Sequence, residues 1–293
     1  MNKLRDTELI ITNSGRIYHL NLKNEEIADD IILVGDPNRV EQISNKFEKI
    51  DFKVSHREFI THTGYYNDKK ISVISSGIGT DNIDIVINEL DALANVNFET
   101  RTINKNKKSL NIIRLGTSGG LNKKIDVDSF IVSEYVIGLD GLAHFYKSNK
   151  IIDQTLSNIF INKTNWSKHH ASPYSVKASE NLLSKFNKFS KGITLTATGF
   201  YGPQCRNLRL KSSISDLEKS IESIEFQGLN ITNFEMETSA LYFLGRSLGH
   251  NTITICAILG NRISKKYSNK PVSYTHLRAH ETRGNLVCRL LLE

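Results

Sequence analysis

Six short apolar runs punctuate the chain: IILVG (31–35), ISVISSGIG (71–79), NIIRLG (111–116), FIVSEYVI (130–137), ITLTATGF (193–200) and TITICAILG (252–260). Each is of strand length and rich in β-branched residues, so each reads as a buried strand. Several alternate with segments of helical period. VEQISNKF follows the first, NIDIVINELDAL follows the second, and SALYFLGRSLGH precedes the last. In the second of these, Ile83, Val86, Ile87, Leu90 and Leu93 fall on one helical face. Buried strands alternating with one-faced helices predict an α/β domain of three layers, α/β/α, around a central mixed and mostly parallel sheet. With no repeat or long linker in view, residues 1–271 read as one domain.

Composition narrows the class further. Apolar residues make up 39% and charged residues 24% of 293, with 4 prolines, which leaves no room for collagen-like or extensively disordered structure. The formal charge is +7. Its lysines are scattered among asparagines and acids, so a nucleic-acid partner is not expected. No apolar stretch is long enough to span a membrane, and MNKLRDTELIITNSG has no signal-peptide core, so a cytoplasmic location without a membrane partner is the expectation. Cys205, Cys256 and Cys288 have neither CxxC nor metal-ligand spacing; no disulfide framework, metal site or redox chemistry is expected.

From Val272 the sequence reads VSYTHLRAHETRGNLVCRLLLE, whose first eleven residues resemble a translated sequencing adapter. Residues 272–293 are therefore expected to be a non-native tail, with a natural C-terminal element cut short after Pro271.

Four polar motifs follow strand ends, where open α/β sheets place their ligands. GDPNR, Gly35 to Arg39, couples a glycine that permits close approach to an Asp-Pro helix start, with Arg39 one turn on to meet an anion. RLGTSGG, Arg114 to Gly120, offers guanidinium, hydroxyl and closely spaced amides as an anion cradle. Neither it nor SSGIGTDN (75–82) has the GxGxxG spacing of a dinucleotide site, so a phosphate or sulfate reactant fits better. NFEMETSAL, Asn233 to Leu241, holds Glu235 and Glu237 around Met236; alternate carboxylates on an extended chain point to one side and can grip vicinal sugar hydroxyls. The bland reading, acids at a helix start, accounts for Glu237 as well. In GFYGPQCR, Gly199 to Arg206, the amide of Gln204 and guanidinium of Arg206 can read the edge of a planar heterocycle, with Phe200 as an apolar face.

These motifs in this order, together with SHREF (55–59) and GNR (260–262), resemble the nucleoside phosphorylase superfamily, most closely its uridine phosphorylase branch, from about Tyr18 to Arg262. The resemblance implies phosphorolysis, in which uridine plus phosphate gives uracil plus ribose 1-phosphate, a nucleoside-salvage reaction of a pentosyltransferase. It implies a phosphate site at Gly35, Arg39, Arg114 and Thr117, with Arg57 from a neighbouring subunit, and a ribose site at Glu235, Met236 and Glu237, with His19 likewise from the neighbour. It implies base contacts from Phe200, Gln204, Arg206 and Arg262, and catalytic roles for Glu237, Arg206, Gln204 and Arg114. A homo-oligomer, dimer-based and up to a hexamer, follows from the sharing. Inorganic phosphate is a co-substrate and no cofactor is needed. The superfamily's intersubunit potassium site would use Glu58, but Asn82 stands where a serine is usual. The purine branch carries an aspartate after the last strand, where Gly260 lies here, and Cys205 replaces the usual acid or glycine between Gln204 and Arg206. The alternatives are a purine phosphorylase of the same superfamily and a nucleoside-binding protein without turnover; a water-using nucleosidase is disfavoured by Arg39, Arg57 and Arg114.

Overall fold

The computed structural model describes residues 3–148 and 150–269. The expected tail, Cys288 and the junction at Val272 lie outside the described residues.

Along the chain come β1 (Asp30–Val34), α1 (Asn38–Ser44), β2 (Lys49–His56), β3 (Phe59–Tyr66), β4 (Lys69–Ser75) and α2 (Thr80–Asn95). The small pair β5 (Val96–Asn97) and β6 (Thr102–Ile103) leads to β7 (Asn111–Gly120), β8 (Phe130–Gly138), α3 (Gln154–Thr164), β9 (Tyr174–Lys177) and α4 (Glu180–Leu183). Then follow β10 (Ser190–Thr196), α5 (Leu217–Glu222), β11 (Glu225–Phe226), β12 (Leu229–Glu235), α6 (Thr238–Ser247), β13 (Asn251–Asn261) and β14 (Lys266–Tyr267). All six apolar runs contain a strand. The ends differ from expectation, since ISVISSGIG leaves the sheet after Ser75 whereas β7 continues through the whole of RLGTSGG.

The main sheet is mixed, in the order β11-β12-β10-β8-β13-β7-β1-β4-β3-β2. Parallel pairs join β1 to β4 and β7, β13 to β7, and β10 to β8 and β12. Antiparallel pairs join β13 to β8 and build the β2-β3-β4 meander.

Strand length decides the most consequential feature. β1 covers only Asn111 to Leu115 of β7, while β13 follows β7 to Gly120. Where β1 stops, the free edge of β7 is taken by β12, which pairs antiparallel through Gly119 and Gly120. The strands β12, β10, β8, β13 and β7 thereby close into a ring, and β1 diverges from it at Gly35. The sheet parts at that point, and the cleft opens there.

Both faces are covered, as the strand alternation requires. Val132 and Val136 of β8 enter the larger core with α2, α4 and α6, whereas Tyr135 and Ile137 enter a second core with Leu156 and Phe160 of α3 and Leu217 and Ile221 of α5. The five apolar residues read from the period of α2 are all fully buried, each contributing about 1.5–3 kcal/mol by area. In α6 every residue from Thr238 to Gly245 is buried, so this helix sits inside the molecule against α2 and the sheet. Its Tyr242 hydroxyl donates to the Ser133 carbonyl at 2.7 Å and accepts from the Thr254 amide at 2.8 Å, which satisfies a phenol group buried inside the core. Among the described residues no helix is long and apolar enough to cross a membrane.

Candidate active site

The cleft is a cavity of about 790 Å³ lined from the ends of β1, β4, β12 and β13 and from the length of β7, a size suited to a small organic ligand. It brings together Gly35, Arg39, Arg114, Thr117, Phe200, Gln204, Arg206, Glu235, Met236, Glu237 and Arg262. His19 and Arg57 are not on its wall.

Arg114 stands at the centre of one end. As residues i and i+2 of a strand share a face, its guanidinium folds back over position 116, and a Cβ there would fall on it; Gly116 makes that conformation available. Arg114 donates to Glu237, lies 3.3 Å from Glu235 and reaches Cys256 Sγ at 3.8 Å. Burial opposes its charge, but Glu237 and Glu235 together raise its pKa above the usual arginine range. Burial pushes the Cys256 thiol up to about 12, so it is a neutral thiol buried beside Arg114. Arg39 lies beside this group, 8% exposed, donating to the Leu115 carbonyl at 3.1 Å. Burial, reinforced by the charge of Arg114, lowers it to about 10. A buried cation held below its ordinary pKa is stabilised by an arriving anion.

The chain leaves β12 at Glu235 and enters α6 after Glu237, and both carboxylates meet the Arg114 guanidinium. Glu235 Oε2 accepts from the amides of Glu237 and Thr238 at 3.0 Å each, and Oε1 accepts from the Thr238 amide and the Thr196 hydroxyl. Its charge serves the helix N-terminus and Arg114. Glu237 lines the cavity beside it. Its Oε1 accepts from the Gly79 amide at 2.8 Å and its Oε2 from Arg114, and each oxygen keeps a second lone pair for a hydroxyl donor. Burial raises the Glu237 carboxyl above the usual carboxylate range, against the opposing pull of Arg114 and the Gly79 amide.

SSGIGTDN thus joins the site through a backbone amide. Gly77 and Gly79 take φ of +69° and +99°, conformations that favour glycine, and present Gly77 and Ile78 to the cavity. The glycine spacing was the available signal; its partner, 158 residues away, had none.

The other end of the cavity is built on loops. Gln204 is buried, and its Oε1 accepts from Arg206 at 2.6 Å. The Arg206 guanidinium lies 3.8 Å from the centroid of the Phe200 ring and donates to the Phe200 carbonyl at 3.1 Å. Burial and the charge of Arg262 lower its pKa. Arg262 donates to the Gln204 carbonyl at 2.6 Å and pairs with Glu218 at 2.9 Å, so it braces this loop from below. Tyr267, which no sequence signal marked, also lines this end.

SHREF forms a hairpin tip. β2 ends at His56, β3 begins at Phe59, and Arg57 takes φ +55°. Glu58 faces the chain's own cavity, while Arg57 is exposed and sits 5.8 Å over the Tyr18 ring. His19 is close by: its Nδ1 lies 2.6 Å from Glu89, and its carbonyl is 2.8 Å from His56 Nδ1. The two residues assigned to a neighbour thus share one surface outside their own pocket. Asn82 lines the cavity with Glu58, its amide donating to the Ile78 carbonyl at 3.2 Å. Among the described residues no three His, Cys, Asp or Glu gather as metal ligands.

Fold and cleft together define an α/β enzyme of the nucleoside phosphorylase class. A model of the phosphorylase superfamily matches residues 29–292, and the chain belongs to that family. It is 27% identical over 256 residues to a uridine phosphorylase of Thermococcus kodakarensis, covering 87% of this chain and 81% of that one. It is 26% identical over 249 residues to a DeoD-type purine nucleoside phosphorylase of Clostridium perfringens, covering 84% and 87%. Its fold superposes on the crystal structure of a Trypanosoma brucei nucleoside phosphorylase described as showing uridine phosphorylase activity, with TM-score 0.84, 28% identity, and 96% and 99% of the two chains covered.

Proposed function

We propose that this protein cleaves the N-glycosidic bond of a pyrimidine ribonucleoside by phosphorolysis, with uridine as the substrate. The observation that carries the reading is the single cleft with a buried Arg39–Arg114–Glu237 group at one end and the Gln204–Arg206 couple at the other. The relatives named uridine phosphorylase point the same way.

In this reading phosphate is held by Arg39, Arg114, Thr117 and the backbone at Gly35, with Arg57 of a second subunit closing over it. Glu237 accepts from the ribose hydroxyls, Met236 packs on the sugar, and Glu235 positions Arg114 and α6. A phosphate oxygen attacks C1′ as the bond to the base nitrogen breaks and its electron pair leaves with the uracil. Positive charge builds on the ribose beside Glu237 and phosphate. Negative charge builds on the base, where Arg206 and the Gln204 amide receive it. Preorganised donors of this kind typically contribute about 10²–10³ each in rate.

The DeoD-type relative makes a purine nucleoside the second reading. A panel of uridine, deoxyuridine, thymidine and inosine, each assayed with and without phosphate, separates the two. Phosphate-dependent uracil release is expected. Efficient inosine cleavage would overturn the pyrimidine assignment, and cleavage indifferent to phosphate would overturn phosphorolysis.

The shared surface of His19 and Arg57 supports a dimer-based assembly in which each completes its neighbour's site. After subunit exchange between inactive Arg57→Ala and Glu237→Ala proteins, partial activity is expected to return. Well-folded, exchanging mixtures that stay inactive would refute the sharing.

A further inference from the structure

At the base end of the cleft, the last strand crosses the end of β13 with its ring over a glycine. β14 pairs antiparallel with β13, setting Tyr267 opposite Gly260. A Cβ built on Gly260 would lie 2.9 Å from Tyr267 Cδ1 and 3.0 Å from Cε1, so the ring occupies the space that a side chain at 260 would need. Both residues line the cavity. Gln204 and Arg206 line the same cavity as the ring.

The ring is held there by more than the two-residue strand. The Ser268 amide donates to the Leu259 carbonyl at 2.8 Å, and the Ser268 hydroxyl donates to Asp128 at 2.7 Å. On the other side of the turn, Asn261 Nδ2 donates to the carbonyls of Asn122 and Ile125, and its Oδ1 accepts from the amides of Ile263 and Ser264. An aromatic residue pinned on both sides at the mouth of a pocket sets how large a planar ligand can enter, although 79% of its own surface is exposed.

Resting on the pyrimidine reading above, we propose that Tyr267, seated on Gly260, is the size-selecting wall of the base subsite: it leaves room for a six-membered ring and excludes a fused bicyclic one. The chemistry is steric. A hydrophobic pocket admits or rejects by volume, and removing an aromatic ring there makes room for the extra five-membered ring of a purine.

The test measures kcat/KM for uridine and inosine, at saturating phosphate, in the parent, Tyr267→Ala, Tyr267→Phe and Gly260→Ala. In Tyr267→Ala the inosine-to-uridine ratio of kcat/KM should rise at least about tenfold. Tyr267→Phe should keep the parent ratio, because shape and not the hydroxyl selects. Gly260→Ala, which pushes the ring from its seat, should raise the ratio in the same direction. A uridine-selective parent with an unchanged ratio in both Tyr267→Ala and Gly260→Ala would overturn the wall and leave the pyrimidine reading standing. A parent that cleaves inosine efficiently would overturn both. A circular-dichroism spectrum and an unfolding midpoint matching the parent's are the control for folding.

Discussion

The two ends of the cleft are built from different materials. Arg39, Arg114, Glu235 and Glu237 are each 8% exposed or less; Arg114 and Glu235 project from the sheet, Arg39 from the start of α1 and Glu237 from the start of α6. Phe200 and Tyr267, at the far end, are 49% and 79% exposed and stand on a loop and a two-residue strand. Groups on strands inside a packed core hold their positions to within tenths of an ångström, whereas loop-borne groups can be exchanged without disturbing that core. The end proposed to bind phosphate and ribose is therefore the rigid, costly part of the site, and the end proposed to read the base is the adjustable part.

The largest break in that contrast comes from Arg114→Ala. It should abolish phosphate saturation and lower kcat/KM by about a thousandfold or more. It should also destabilise the fold by about 3–5 kcal/mol, because Glu235 and Glu237 are left buried without their partner. Phosphate-dependence assays and denaturant unfolding measure the two effects, and normal phosphate saturation would refute the assignment.

Arg206→Ala should separate the two ends. Uridine turnover is expected to fall about a hundredfold, while the phosphate KM and unfolding midpoint stay near the parent's, since the Arg206 guanidinium donates to Phe200 and Gln204 of its own loop. A matched loss of phosphate affinity would mean that the ends are not independent.

Arg39 gives the comparison a pH signature. Its pKa is lowered to about 10 by burial and by Arg114, so it is charged below that pH and loses its proton as pH rises through it. Phosphate affinity in the free enzyme should therefore be present at neutral pH and fall, by about tenfold per unit, above pH about 10. The mirror limb belongs to Glu237, whose pKa burial raises. As pH falls, nucleoside kcat/KM should drop at a pH above that of an ordinary glutamate, and Glu237→Gln should remove the limb.

The smallest effect is expected from Phe200→Ala. It removes the face on which Arg206 rests at 3.8 Å, an exposed cation–π contact of about 0.5–1 kcal/mol. Uridine KM should rise about two- to fivefold at unchanged kcat, and a large loss of kcat would place Phe200 in the rigid part of the site.

Much of this molecule was legible as pattern. The β-branched runs marked β1, β4, β7, β8, β10 and β13, because a strand buried on both faces favours β-branched apolar residues. The spacing of Ile83, Val86, Ile87, Leu90 and Leu93 marked the buried face of α2, and the Gly- and Arg-bearing motifs at strand ends marked most of the cleft. These signals are local, set by neighbours within a strand or a helical turn. What pattern could not determine depends on where strands stop and what then meets them. β1 ends five residues into β7, so β12 closes the ring and the cleft opens beside it. Glu235 caps the start of α6, Gly79 lends its amide to Glu237, and Tyr267 comes to rest on Gly260. Each of these is a contact between segments whose separation in sequence carries no periodicity, and only the packed tertiary structure fixes it, because hydrogen bonding and steric exclusion act through space without regard to chain order.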